Sequence, residues 1–248
     1  NVTLYYSHIS NQATAIMLTA LSIDMPMRPW RLSGTVYGAL LNHAPAMAAL
    51  GDAANAAPYK AAPKAPVLFV KPRNTLLVPG QQVVAPDGDG VWQVGVSLGI
   101  VIGRTACCVA ESDAASVVAG YTMVVDFSVP HESFYRPSVR FKARDGSCAI
   151  GPRVVAVAET ESPDDLAITV AVDGALVQQA STANMIRPVT RLLADVTDFM
   201  TLAPGDVLML GVPHGAPLVR AGQRIRAEIA GIGAYETVIT AATVQEAA

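Results

Sequence analysis

The sequence predicts a β-dominated α+β protein, a mixed β-roll with a few short helices. Three observations carry this. Residues 94–102 alternate strictly, with Val94, Val96, Leu98, Ile100 and Ile102 on one face, which is the period of a strand. An Asp173-Gly174 pair stands between two apolar runs, and such a pair supplies the positive φ angles of a two-residue hairpin turn. The 19 Gly and 17 Pro are spread along all 248 residues, which cuts the chain into many short elements.

The elements follow in order. Residues 35–41 read as a strand and 43–50 as a short helix. Residues 53–66, rich in Ala, Pro and Lys, read as a surface loop before an apolar strand at 66–70. In the alternating strand 94–102, the second face carries Gln93, Gly95, Ser97, Gly99 and Val101. A face so nearly empty lines a cavity or takes a closely packed backbone. Residues 111–118 read as a short helix closed by Gly120, and 121–127 as a strand. The hairpin pairs 167–172 with 175–179. Residues 182–200 form the strongest helical pattern, with Val189, Leu192, Leu193, Val196, Phe199 and Met200 in one stripe and Pro188 suited to a first turn. Strands are expected at 207–212, 225–229 and 235–243.

Composition bounds the rest. Hydrophobic residues make up 52% of the chain but aromatics only 6%, so Val, Ala, Leu and Ile must fill the core. Patterned sequence begins near Leu32, so residues 1–31 are expected to be an extension and 32–248 a single catalytic-type β-roll domain, with Met25 or Met27 as candidate starts. A net charge of −3 argues against nucleic acid as a partner. The apolar segment 13–23 is too short to span a bilayer and lacks a basic leader, so no membrane association is expected. Three cysteines, two of them adjacent, make a poor disulfide framework. A reduced, cytoplasmic protein is expected, with Cys148 a buried thiol because no histidine adjoins it.

The densest chemistry lies in residues 135–151. Arg136, Arg140, Lys142, Arg144 and Asp145 crowd together in a chain that is only 15% charged. Such charge must be solvated, paired or turned toward an anion. It follows a lone strand-end carboxylate, Asp126, and together they suggest a site for a small molecule bearing carboxylates.

In order along the chain stand Lys71-Pro72, Val101-Ile102-Gly103-Arg104, Ala119-Gly120-Tyr121-Thr122 with Asp126 behind it, Lys142 with Arg144-Asp145-Gly146, Leu202-Ala203-Pro204-Gly205-Asp206, Gly211-Val212-Pro213 and Gly231-Ile232-Gly233. This series resembles the fumarylacetoacetate hydrolase superfamily over roughly residues 33–243. Within it, Leu41-Asn42-His43, residues 57–61, Lys71-Pro72-Arg73-Asn74-Thr75, residues 132–137 and residues 142–146 are most similar to the amino-terminal half, or separate first subunit, of bifunctional isomerase/decarboxylases of 4-hydroxyphenylacetate degradation. The resemblance implies a mixed β-roll, action on C–C bonds or enols of oxo-acids, and a divalent metal, Mg²⁺ or Mn²⁺.

Two departures from the family pattern stand out. The family's Glu-x-Glu metal pair falls on Gly95 and Ser97, and its lid histidine falls near Ala46. Of the usual metal ligands only Asp126 remains. Asp126 is therefore either a residual metal ligand, helped by substrate oxygens and water, or the acid of a buried pair with Lys142 or Arg144. Lys142 and His131 are the candidate catalytic residues, and Lys71, Arg144 and Tyr135 the candidate substrate ligands. His43 next to Asn42 is expected to close a strand, His214 to sit in a turn, and His8 to lie in the extension. Gly231-Ile232-Gly233 lacks the strand-to-helix context of a phosphate loop and reads as a tight turn.

Three functions follow from these readings. The first, whose substrate the resemblance alone implies while the residues themselves point only to an anionic small molecule, is decarboxylation and isomerisation of an unsaturated oxo-dicarboxylate, of the 2-hydroxyhepta-2,4-diene-1,7-dioate isomerase and 5-carboxymethyl-2-oxo-hex-3-ene-1,7-dioate decarboxylase type. The second is a metal-free scaffold for a metal-bearing sister chain. The third is an acylpyruvate-type hydrolase. The expected assembly is a homodimer, or a heterodimer with the sister chain.

Overall fold

The computed structural model describes residues 35–77, 81–88 and 90–242, so the expected extension at 1–31 and position 243 lie outside the described residues. Thirteen strands run in chain order: β1 Val36–Leu40, β2 Val67–Lys71, β3 Val83–Val84, β4 Val91–Ile102, β5 Val118–Ser128, β6 Cys148–Ile150, β7 Val155–Ala156, β8 Ala167–Val172, β9 Ala175–Ser181, β10 Val207–Met209, β11 Leu218–Arg220, β12 Arg224–Ile229 and β13 Gly233–Thr240. The α-helices are short: α1 Ala44–Leu50, α2 Val139–Lys142 and α3 Val189–Thr197. Strands dominate as the sequence predicts.

The larger sheet has eight strands, in the order β2-β1-β10-β4-β5-β6 with β11 added to β4 and β7 to β5. The second has five, in the order β3-β13-β12-β8-β9. Pairing is antiparallel except at β1/β10 and β3/β13, which makes both sheets mixed. The two sheets share a core. Leu98 and Ile100 of β4 and Met123 and Val125 of β5 pack with Val170 of β8 and Ala227 of β12, and α3 adds Leu192 and Val196. The hairpin turn forms as its residues dictate, with Asp173 at φ 51° and Gly174 at φ 85°.

The alternation of β4 and β5 gives the larger sheet two different faces. Val94, Val96, Leu98, Ile100 and Ile102 join the main core. The opposite face carries Val101 and Val124, covered by Phe69, Cys148 and Met209 in a second, smaller cluster. Asp126 shares the parity of Val124, so it emerges on this second face. Gly95 is its direct cross-strand neighbour, and Ser97 is that of Val124.

Four expectations are corrected. The helix predicted at 182–200 is only Val189–Thr197, with Pro188 as its N-cap. Pro188 disfavours helical backbone at Arg187, and the Ile186 and Arg187 N–H groups are taken by Asn42 instead. Because the helix ends at Thr197, Phe199 leaves the buried stripe and is 59% exposed. The segment Glu111–Val117 is a 3₁₀ helix, and Gly120 does not close it but lies inside β5. There a Cβ would run into the Val155 carbonyl. The strand expected at 207–212 stops at Met209. Among the described residues, no helix is long and apolar enough to cross a membrane.

Candidate functional site

The site is built around two lysines and one acid. Lys71 ends β2, Asp126 lies near the end of β5, and Lys142 ends α2. All three are buried, at 0%, 1% and 6% exposure. Lys142 Nζ donates to Asp126 Oδ2 at 2.5 Å and to Ser128 Oγ at 2.9 Å. Lys71 Nζ stands 2.7 Å from Asp126 Oδ1, an ion contact outside hydrogen-bond geometry. It donates to the carbonyls of Lys142 (2.5 Å) and Phe127 (3.2 Å) and to Ser147 Oγ (2.9 Å). Lys71 therefore has no hydrogen left for a ligand. It ties β2, β5 and the α2–β6 loop together.

Burial acting alone would raise the Asp126 pKa, but the ammonium groups of Lys142 and Lys71 reverse this and hold it at about 2. Two formal positive charges then face one negative charge. Among the described residues, Asp126 is the only carboxylate in ion contact with either lysine. One buried positive charge is left in excess, and burying an uncompensated charge is costly. Lys142 lies 4.2 Å from the Phe69 ring centroid, a cation–π contact that offsets part of this cost. Gly38 makes room for that ring, because any Cβ at Gly38 would stand inside it.

Lys142 and Asp126 open onto a cavity of about 120 Å³. Ser128 and His131 add polar groups to its wall, and Leu40, Phe134 and Val212 add apolar surface. The His131 ring stacks on Phe141, with centroids 4.7 Å apart and an interplanar angle of 6°. Its Nδ1 lies 2.9 Å from the Val129 carbonyl, so that nitrogen carries the hydrogen. Nε2 is left as a buried lone pair with no hydrogen-bond partner among the described residues. Burial lowers the His131 pKa, so the ring is neutral near pH 7.

Other sequence candidates fall elsewhere. Arg144, a candidate substrate ligand and alternative partner for Asp126, pairs with Asp87 at 2.9 Å beside a separate surface cleft. Tyr135 is 56% exposed and packs edge-on to Tyr59. Its neighbour Phe134 faces the cavity instead, with its N–H held by the Tyr59 hydroxyl at 2.7 Å. His43 caps α1 and bridges to Met185. Its Nδ1 accepts the His214 N–H at 3.1 Å, and Gln178 donates to the His214 carbonyl at 2.9 Å. Those two buried side chains fix the backbone of His214, which lines the cavity. Sequence reasoning left His214 in a turn, placed Gln93 on a strand face that could line a cavity without giving it a role, and passed over Ser128; all three line the cavity. The pairing of β4 with β5 would have flagged Ser128, since it lies directly opposite Gln93.

The residues present do not fit the divalent ion that the resemblance implies. Both Asp126 oxygens face ammonium groups. Gly95 offers no ligand, and a Cβ there would lie 2.8 Å from the Val212 side chain. Ser97 Oγ is engaged with the Leu98 carbonyl and the Gly211 N–H. Ala46, at the lid-histidine position, reaches the cavity wall without a titratable group. Among the described residues, no three His, Cys, Asp or Glu side chains are grouped to hold a metal.

Comparison with known proteins agrees with this fold. The chain is 36% identical over 208 residues to the 4-hydroxyphenylacetate degradation bifunctional isomerase/decarboxylase of Escherichia coli, covering 84% of this chain and 47% of that protein. It thus spans about half the length of that relative. Among solved structures it resembles 5-carboxymethyl-2-hydroxymuconate delta-isomerase of Mycobacterium smegmatis, with a TM-score of 0.70 and 28% identity over 86% of this chain and 80% of that one. It also resembles maleylpyruvate hydrolase of Sphingobium sp. SYK-6 in complex with manganese(II) and pyruvate, with a TM-score of 0.67 and 27% identity over 84% and 71% of the two chains. Residues 35–240 match the family described as fumarylacetoacetate (FAA) hydrolase C-terminal, and the chain belongs to that family.

Proposed function

We propose that the chain acts on an unsaturated oxo-dicarboxylate, by decarboxylation and then double-bond or keto–enol isomerisation. The observation that carries this reading is the uncompensated positive charge beside a small cavity, at Lys142. Loss of CO₂ from such an acid leaves an electron pair conjugated with the oxo group, an enolate. An ammonium fixed by Asp126 and Ser128 meets that developing charge without reorganising. The Nε2 lone pair of neutral His131 accepts a proton from one carbon and returns it to another. The apolar wall of Leu40, Phe134 and Val212 excludes water from the reacting carbons. The nature of the relatives supports the substrate class.

The test is CO₂ release and loss of the conjugated chromophore, measured with the purified chain and an unsaturated oxo-dicarboxylate. Lys142→Met should lower turnover on the order of 10²-fold. Unchanged turnover in that variant would remove Lys142 from the chemistry. A second reading is favoured by the commitment of Asp126 to two lysines: the chain would be a metal-free partner of a sister chain bearing Glu-x-Glu. Activity that appears only after such a sister chain is added would select this reading.

A further inference from the structure

We propose that Cys107 and Cys108 form a bidentate site for a trivalent arsenical, remote from the cavity. The loop after β4 carries both thiols to the surface. Their sulfurs are 3.9 Å apart. That is roughly twice the length of a disulfide bond, about 2.0 Å, so the pair is not poised for direct S–S closure. Two metal–thiolate bonds of about 2.3 Å span the same gap with a bent angle at a bridging atom. The geometry thus suits one soft centre bound to both sulfurs.

The backbone that carries the two thiols is anchored on both sides. Ala106 exchanges two hydrogen bonds with Leu202, each 2.9 Å. The Cys108 N–H donates to the Thr197 carbonyl at 2.7 Å, and the Val109 N–H donates to Thr197 Oγ1 at 3.1 Å. Cys107 is clamped between these anchors, and Cys108 is held at φ 49°, a left-handed conformation that non-glycine residues rarely adopt. A dithiol whose backbone is already ordered has only its side-chain torsions left to restrict on chelation. The Cys107 sulfur raises the pKa of the Cys108 thiol, which keeps that group protonated near pH 7. Condensation with an arsenoxide uses two thiols. The As=O and two S–H bonds break, two As–S bonds form, and one water leaves with both protons. No electrons are transferred. Cys148 takes no part, being fully buried with its pKa pushed up to about 12 by burial.

The experiment treats the full chain with phenylarsine oxide and reads intact mass and native thiol count. One arylarsenic group should add per chain, two thiols should be lost, and the adduct should survive excess glutathione but be removed by 1,2-ethanedithiol. Cys107→Ser and Cys108→Ser should each abolish the glutathione-resistant adduct, and Cys148→Ala should keep it. Should Cys148→Ala fail to fold, the third thiol of the wild type should still react only after denaturation. An adduct displaced by glutathione, or retained equally by either serine variant, would overturn the proposal. Because no step involves the cavity, neither result depends on the enzymatic reading.

Discussion

At the scale of single residues, the two lysines beside Asp126 have different tasks. Lys71 donates to three acceptors, one on β5 and two on the α2–β6 segment, and is fully buried. Lys71→Met would remove all three bonds and the Lys71–Asp126 ion contact from a buried site, so we expect a loss of about 3–5 kcal/mol in urea unfolding. Lys142→Met removes the excess charge and leaves Asp126 paired with Lys71, so its cost should be about 1 kcal/mol or less while turnover falls. Equal losses of stability would sink this division. Asp126 itself sets an acid limit. Its folded pKa, about 2, lies below the ordinary 3.8, so its contribution is present above pH 3.8 and is lost as the pH falls through about 2. The contribution is on the order of 2 kcal/mol. Urea midpoints measured across this range should lose that part of their slope in Asp126→Asn. His131 is depressed in the opposite charge sense. If its neutral ring is the base, activity should fall only at pH values below the ordinary 6.5, and that limb should vanish in His131→Asn.

At the scale of elements, legibility followed local pattern. The alternation of β4 and the Asp173-Gly174 turn are signals contained within a few residues, and both formed as read. The helix at 182–200 was overextended because apolar spacing continued through positions where tertiary hydrogen bonds to Asn42 set the backbone. Gly120 was misread for a similar reason. In sequence it resembles a helix stop, but the constraint on it comes from β7, 35 residues away at Val155. Gly120→Ala should therefore behave as a strand-packing lesion, costing about 2–4 kcal/mol in denaturant unfolding as overpacking does. A cost near the few tenths of a kcal/mol typical of an exposed helix end would show that β7 yields instead. Asp126 was visible as a lone strand-end carboxylate and Lys142 as a member of a dense charged run, whereas the partner of Arg144 was not. Asp87 meets it only through loop placement, which carries no sequence period.

At the scale of the whole molecule, the positions at which the resemblance places a metal cage carry other groups. Gly95, Ser97 and Ala46 occupy positions where acids or a lid histidine are expected, and the space has been reassigned. Val212 packs against Gly95, the Gly211 backbone uses Ser97, and two ammonium groups take the Asp126 oxygens. Restoring the two glutamates should therefore not restore ion binding. In Gly95→Glu/Ser97→Glu the first new side chain starts 2.8 Å from Val212, and the second replaces a buried hydroxyl that accepts the Gly211 N–H. The double variant should unfold at lower urea and show no stabilisation by Mn²⁺. A ligand present at 100 times its Kd would add about 2.7 kcal/mol, which is readily measured. Adding Val212→Gly removes the obstruction at Gly95, and Lys142→Met frees Asp126 Oδ2. Only the variant carrying all four changes should gain Mn²⁺-dependent stability. If the two glutamates alone confer it, the lysine pair yields readily to a divalent ion, and the cation-driven account of the cavity fails.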